Sequence, residues 1–189
     1  MALALKAGDI VVVPTETVYG LASTLQPDAL LRIFKAKGRP EYKPLIVGVD
    51  GPEMARTITG SWPAGAQTLA ETFWPGPLSL VLPKSEKMPY LVTAGGPSVA
   101  VRAPAHGIAF SLIRLVGAPL VLTSANLSGG ASPKTAAEVV GQLGCSPAYV
   151  FDDGPSIIGV ESTVYDIAQR KVLREGSISS REIELALRD

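Results

Sequence analysis

Two short segments, far apart in the chain, carry residue types that handle phosphate: Lys37-Gly38-Arg39-Pro40 and Ser124-Ala125-Asn126-Leu127-Ser128-Gly129. Lysine and arginine supply charge to phosphate oxygens, while short hydroxyls and an amide fix those oxygens without crowding them. Glycine between the two cations lets the backbone turn both toward one side. If the fold brings the segments together, they form an anion site suited to a nucleotide. If it holds them apart, Lys37 is a solvated cation favourable to a helix C-terminus, and Ser124-Ala125-Asn126 is an ordinary Asx or Ser turn. Neither segment is a Walker A loop or a Gly-x-Gly-x-x-Gly fingerprint, so the standard nucleotide folds are not indicated.

Three further stretches carry polar groups where strands should begin or end. Thr15-Glu16-Thr17-Val18-Tyr19-Gly20 follows an apolar run, a position from which loop residues line clefts; its alternative is a turn with Glu16 as a cap. Arg102 stands inside the apolar strand Val99–Ala103, where a guanidinium must find a structural or a ligand carboxylate. Gly159-Val160-Glu161-Ser162-Thr163 precedes a strand that can close the same cleft. The lone His106 has no nearby nucleophile and reads as a loop-ordering residue.

The elements that must position these groups can be read from period and punctuation. Asp9–Pro14 is a short β-branched strand closed by proline, and a helix is expected over Pro27–Lys37. Proline suits its first turn, Leu30, Ile33 and Phe34 share a face, and Gly38 and Pro40 stop it. Strands are expected at Leu45–Val49, Leu78–Leu82, Val99–Ala103, Leu120–Thr123, Ala148–Phe151, Thr163–Ile167 and Lys171–Arg174. Helical composition runs over 52–76, broken at Pro63, and helices are expected at 107–116, 134–143 and 179–188. This irregular interleaving favours an α/β fold with a mixed sheet flanked by helices. The chain, 1–189, reads as one domain with no internal repeat or linker.

Composition narrows the function classes. Lys plus Arg and Asp plus Glu are 17 each, so no global field draws the protein to nucleic acid or anionic membrane; any positive site is local. The single Cys145 excludes an internal disulfide and a multi-cysteine metal site. No stretch approaches the about 18 unbroken apolar residues of a membrane span, and no signal-peptide core precedes Lys6 and Asp9. A soluble, cytoplasmic protein is expected.

Together the segments resemble the YrdC-like family, the threonylcarbamoyl-AMP synthases. The matching stretches are PTETVYGLA at 14–22, KGRP at 37–40, PLIV at 44–47, PGPLSLVL at 75–82, VAVRAP at 99–104, TSANLSG at 123–129, ESTVYD at 161–166 and LREGSI at 173–178. They cover nearly the whole chain, and the Lys-x-Arg and Ser-x-Asn pair is the family's hallmark.

The resemblance implies a twisted mixed sheet around a positively charged concave cavity. It implies synthesis of L-threonylcarbamoyl-AMP and pyrophosphate from L-threonine, bicarbonate or CO2, and ATP, with Mg2+ carried mainly on the phosphates. The product would serve t6A37 formation in tRNA through a separate transferase system, with possible contact to tRNA or double-stranded RNA. By motif position, Thr17, Arg102, Leu122 and Ser162 belong to the threonine site. Arg39, Lys43, Ser98, Ser124, Ser132 and Arg174 belong to the ATP site, and Lys37, Arg39, Ser124 and Asn126 form the catalytic hallmark.

Many relatives have histidine at the place of Gly48 and asparagine at the place of Lys43. The chain also resembles the short form of the family, without the extra C-terminal domain of longer relatives. Two competing classes are an RNA-binding module, disfavoured by zero net charge and the lack of a basic–aromatic stripe, and the carbamoyl-adenylate domain of hydrogenase-maturation proteins, whose cysteine-rich zinc modules this sequence lacks.

Overall fold

The side chains of three consecutive valines, Val11, Val12 and Val13, alternate between two separate hydrophobic clusters. That alternation is the pleat of a strand buried on both faces, and it sets the plan of the molecule. The computed structural model describes residues 1–188. Its strands are β1 (Val11–Val13), β2 (Gly20–Ser23), β3 (Ile46–Gly48), β4 (Leu78–Pro83), β5 (Ser98–Arg102), β6 (Leu120–Ser124), β7 (Tyr149–Val150), β8 (Thr163–Asp166) and β9 (Lys171–Arg174). They form one mixed sheet in the order β7-β1-β2-β6-β3-β5-β4-β8-β9. The helices are α1 (Ala2–Lys6), α2 (Pro27–Lys37), α3 (Pro52–Arg56), α4 (Ala64–Phe73), α5 (Tyr90–Thr93), α6 (Gly107–Val116), α7 (Ala136–Val139) and α8 (Ser180–Ala186).

One face of the sheet is covered from β1 across to β8. Val12, Leu21, Val47, Leu80, Val101, Val121 and Tyr165 point into a large cluster with Leu30 and Ile33 of α2, Leu69 of α4 and Ile183 of α8. The other face is covered only over β1, β2 and β6, where Leu5 of α1 and Ala109, Leu112 and Ile113 of α6 pack on Val11, Val13, Ala22 and Leu120. Farther along, the same pleat turns Ile46 and Gly48, Ala100 and Arg102, Val81, and Val164 and Asp166 toward open space. The cavity is the part of the sheet that no helix covers.

The expected helices over 27–37 and 107–116 have those same bounds. Gly38 ends α2 in the left-handed region at φ 52°, and Arg39 N–H returns to the Phe34 carbonyl at 2.9 Å. That is the geometry a C-terminal glycine permits. The expected helix over 134–143 is much shorter, only Ala136–Val139: Val140 is extended and Gly141 is left-handed, so the chain turns away. Three short elements, α1, β2 and α5, had no strong sequence signal. His106 is the N-cap of α6, its Nδ1 accepting from Ile108 N–H at 3.3 Å. Among the described residues no helix is long and apolar enough to cross a membrane.

Candidate active site

The cavity over β3, β5, β4 and β8 has a volume of about 650 Å³. Both hallmark segments reach it: Lys37, Arg39, Ser124 and Asn126 all line it. So do Thr17, Ser98, Arg102, Leu122, Ser162 and Arg174, the other expected site residues with two exceptions. Lys43 has an exposed side chain and contributes instead its carbonyl, which accepts from Arg39 Nε at 3.3 Å. Ser132 stands behind the lining, its hydroxyl bonded to the Glu161 carboxylate. Gly48 lines the floor; a Cβ there would lie 3.3–3.4 Å from Ile113 and Leu122.

The end of α2 and the turn after β6 are stitched together by Lys37. Its side chain is buried, and its ammonium donates to the carbonyls of Ser124 and Asn126, the latter at 2.8 Å, with Asn126 Oδ1 at 3.4 Å. The backbone adds a tie, Ser128 N–H to Lys37 carbonyl at 2.8 Å. Asn126 spends its amide on the Leu127 and Gly130 carbonyls at 2.9 and 2.7 Å, closing the turn. Lys37 and Asn126 thus fix the shape of the corner, which presents Arg39 and Ser124 to a cavity that Arg174 of β9 also lines. Burial lowers the Lys37 ammonium to about 8, with Arg39 acting in the same direction and Glu161 opposing.

Arg102 occupies the other end. Its Nε donates to the Gly76 carbonyl at 3.1 Å and Nη1 to the Thr17 hydroxyl at 3.0 Å, while Nη2 lies 2.6 Å from Glu16 Oε1. Both partners are buried, at 9% and 6% side-chain exposure. The Glu16 approach is an ion pair without hydrogen-bond angles, which leaves both Glu16 oxygens short of donors. Burial lowers the Arg102 pKa, Glu16 opposes that shift, and Arg174 adds to it. The structural carboxylate that an arginine in an apolar strand requires is therefore Glu16. The alternative reading of Glu16 as a cap gives way to this ion pair.

Ser162 joins the two ends. Its hydroxyl is 2.9 Å from Ser79 Oγ, and Arg174 Nη2 reaches both the Ser162 carbonyl at 2.9 Å and the Ser162 hydroxyl at 3.2 Å. Arg174 Nη1 also pairs with Glu161 Oε2 at 2.5 Å. Gly176 makes this corner possible: a Cβ there would fall 2.1 Å from the Glu161 carbonyl and 2.5 Å from Thr163 N. Arg39 is lowered by burial first and then by Arg174, with Glu161 again opposing. Four cations, Lys37, Arg39, Arg102 and Arg174, line the cavity against two carboxylates, Glu161 and Asp166. Such a cluster is relieved by an anion.

The Sua5/YciO/YrdC family model, described as telomere recombination, matches residues 3–176. The chain is similar to the threonylcarbamoyl-AMP synthase of Pyrococcus abyssi, 46% identical over 187 residues, covering 95% of this chain and 54% of that protein. It is also similar to the threonylcarbamoyl-AMP synthase of Bacillus subtilis, 44% identical over 187 residues, with 97% and 54% covered. The chain spans about half the length of each. Among solved structures, the crystal structure of P. abyssi Sua5 complexed with L-threonine superposes with a TM-score of 0.94 at 44% identity, covering 98% of this chain and 55% of that one.

Proposed function

The chain belongs to the Sua5/YciO/YrdC family, and from that membership together with the geometry of the cavity we propose that it forms L-threonylcarbamoyl-AMP from L-threonine, bicarbonate or CO2, and ATP. One observation carries the reading: a buried arginine fit for a carboxylate and an arginine–serine corner fit for phosphate share one cavity of about 650 Å³. Threonine's carboxylate is assigned to Arg102 and Thr17, beside Leu122 and Ser162. The triphosphate is assigned to Arg39, Ser124 and Arg174, flanked by Ser98 and Ser132.

The neutral amine of threonine adds to the carbon of CO2, forming an N–C bond and losing a proton to solvent, to give an anionic carbamate. A carbamate oxygen attacks the α-phosphorus, the new P–O bond forms, the bond to the β-phosphate oxygen breaks, and pyrophosphate leaves. No protein nucleophile is needed, because the attacking group is already anionic. The protein's contribution is orientation and charge neutralisation. Lys37 supports both by holding the Ser124–Asn126 turn and by its field.

A divalent cation such as Mg2+ supplies further charge neutralisation on the polyphosphate. In this proposal the ion is held chiefly by phosphate oxygens. The product would then serve t6A37 formation in tRNA through a separate transferase. Mass-spectrometric analysis of products from ATP, bicarbonate and each amino acid tests the proposal. Threonylcarbamoyl-AMP with pyrophosphate is the expected outcome, and pyrophosphate release without any carbamoyl adenylate would overturn it.

A further inference from the structure

The nucleotide end of the cavity contains a carboxylate where an anion should bind. Glu161 lines the cavity with Oε2 on Arg174 Nη1 at 2.5 Å and Oε1 on the Ser132 hydroxyl. Its negative charge also reaches Lys37 and Arg39. Thus one acid touches or faces the phosphate-handling groups on α2, β9 and the loop before α7. It is also the less buried of the two acids paired with arginine here, at 32% side-chain exposure against 6% for Glu16. Of its two partners, Arg174 lines the cavity and is 40% exposed at the side chain.

Resting on the nucleotide reading above, we propose that Glu161 makes this site selective for metal-complexed polyphosphate. In the structure its carboxylate satisfies Arg174 and Ser132. A polyphosphate takes over the Arg174 donors with its own oxygens, and Glu161 is left as a negative charge without its cation beside several more. Like charges at such separations repel strongly in a partly buried site. A divalent cation on the phosphates reverses the sign of that interaction, and a single carboxylate plus phosphate oxygens is a common ligand set for magnesium. Glu161 therefore penalises the metal-free ligand and favours the complexed one.

The test is calorimetric titration of inorganic pyrophosphate into the wild-type chain, Glu161→Gln and Glu161→Asp, with EDTA or with saturating magnesium. Wild type should gain about tenfold or more in affinity from magnesium. Glu161→Gln should bind metal-free pyrophosphate about tenfold more tightly than wild type and gain less than about threefold from the metal. Glu161→Asp, which keeps the charge, should retain the metal preference. An equal magnesium effect in all three, or metal-free binding unchanged in Glu161→Gln, overturns the inference and makes Glu161 a structural tether of Arg174. Should Glu161→Gln not fold, Glu161→Ala carries the same expectations. Failure of every form to bind pyrophosphate or ATP under either condition overturns the nucleotide site itself and this inference with it.

Discussion

The two ends of the cavity are built from the same chemistry and differ in burial. At one end Arg102 faces Glu16 at 2.6 Å with 9% and 6% of the side chains exposed; at the other Arg174 faces Glu161 at 2.5 Å with 40% and 32% exposed. Distance alone would rank them equal. Burial separates them, because removing one partner of a buried pair strands a charge in a poor solvent, whereas an exposed pair trades its partner for water. The first pair is framework. The second is partly in water, and in the proposed reading it is the pair that a highly charged ligand displaces.

The sharpest way to break this comparison is Glu16→Gln. Stranding the Arg102 charge should cost roughly 3–5 kcal/mol, and about 10 °C in Tm for a chain of this size. Threonine should restore part of that loss, since its carboxylate supplies the missing anion, so the threonine-induced rise in Tm should be larger in the variant than in wild type. Calorimetric melting with and without threonine measures both; a variant as stable as wild type would show that Glu16 is not the framework partner of Arg102.

Gly176→Ala strikes the joint between the ends. Its Cβ would overlap the Glu161 carbonyl and Thr163 N, so the 161–163 chain must move. A cost of about 1–3 kcal/mol is expected from forced overpacking, with threonine and pyrophosphate binding both weakened. Loss of one affinity with the other intact would mean that the two ends are mechanically independent.

Much of this was legible in the sequence, for reasons specific to each element. α2 could be bounded to the residue because Pro27 and Gly38 are local signals that need no tertiary partner. β2, Gly-Leu-Ala-Ser, has no β-branched residue and exists because β1 and β6 pair with it on both sides. α1 is five residues long and is held by Leu5 in the smaller cluster, a tertiary cause that period cannot show. In the site, residue types and order pointed to the cavity lining, but partners did not follow from type. Lys37 reads as a phosphate cation until its ammonium is found on two carbonyls. Glu16 reads as a cleft-loop residue or a cap, and Glu161 as part of a segment closing the cleft, until Arg102 of β5 and Arg174 of β9 are found paired with them.

Proton linkage separates the ends more gently. The buried Lys37 ammonium stands at about 8, below its ordinary 10.5, because of desolvation. Between those values the unfolded chain binds more protons than the folded one, so this lysine's contribution to stability rises with pH over about 8 to 10.5 and is lost as pH falls through 8. Phosphate favours the charged amine, so the Lys37 contribution to ATP affinity should be flat below about pH 8, fall above it, and be accompanied by proton uptake there. Titrations in two buffers of different ionisation enthalpy detect that uptake. Threonine binding at the Arg102 end should show no such dependence on Lys37, and Lys37→Met should abolish the uptake.

The smallest effect is expected from Glu161→Gln on stability. With about a third of each side chain in water, the Arg174–Glu161 pair should contribute about 0–1 kcal/mol, a Tm change of at most about 4 °C. That near-silence would be informative beside the large cost at Glu16, because an acid that contributes little to the fold and yet sits on Arg174, the proposed phosphate donor, is free to answer to ligand. A Glu161→Gln loss as large as that of Glu16→Gln would make both pairs framework, and the cavity would then have two rigid ends with no exchangeable anion between them.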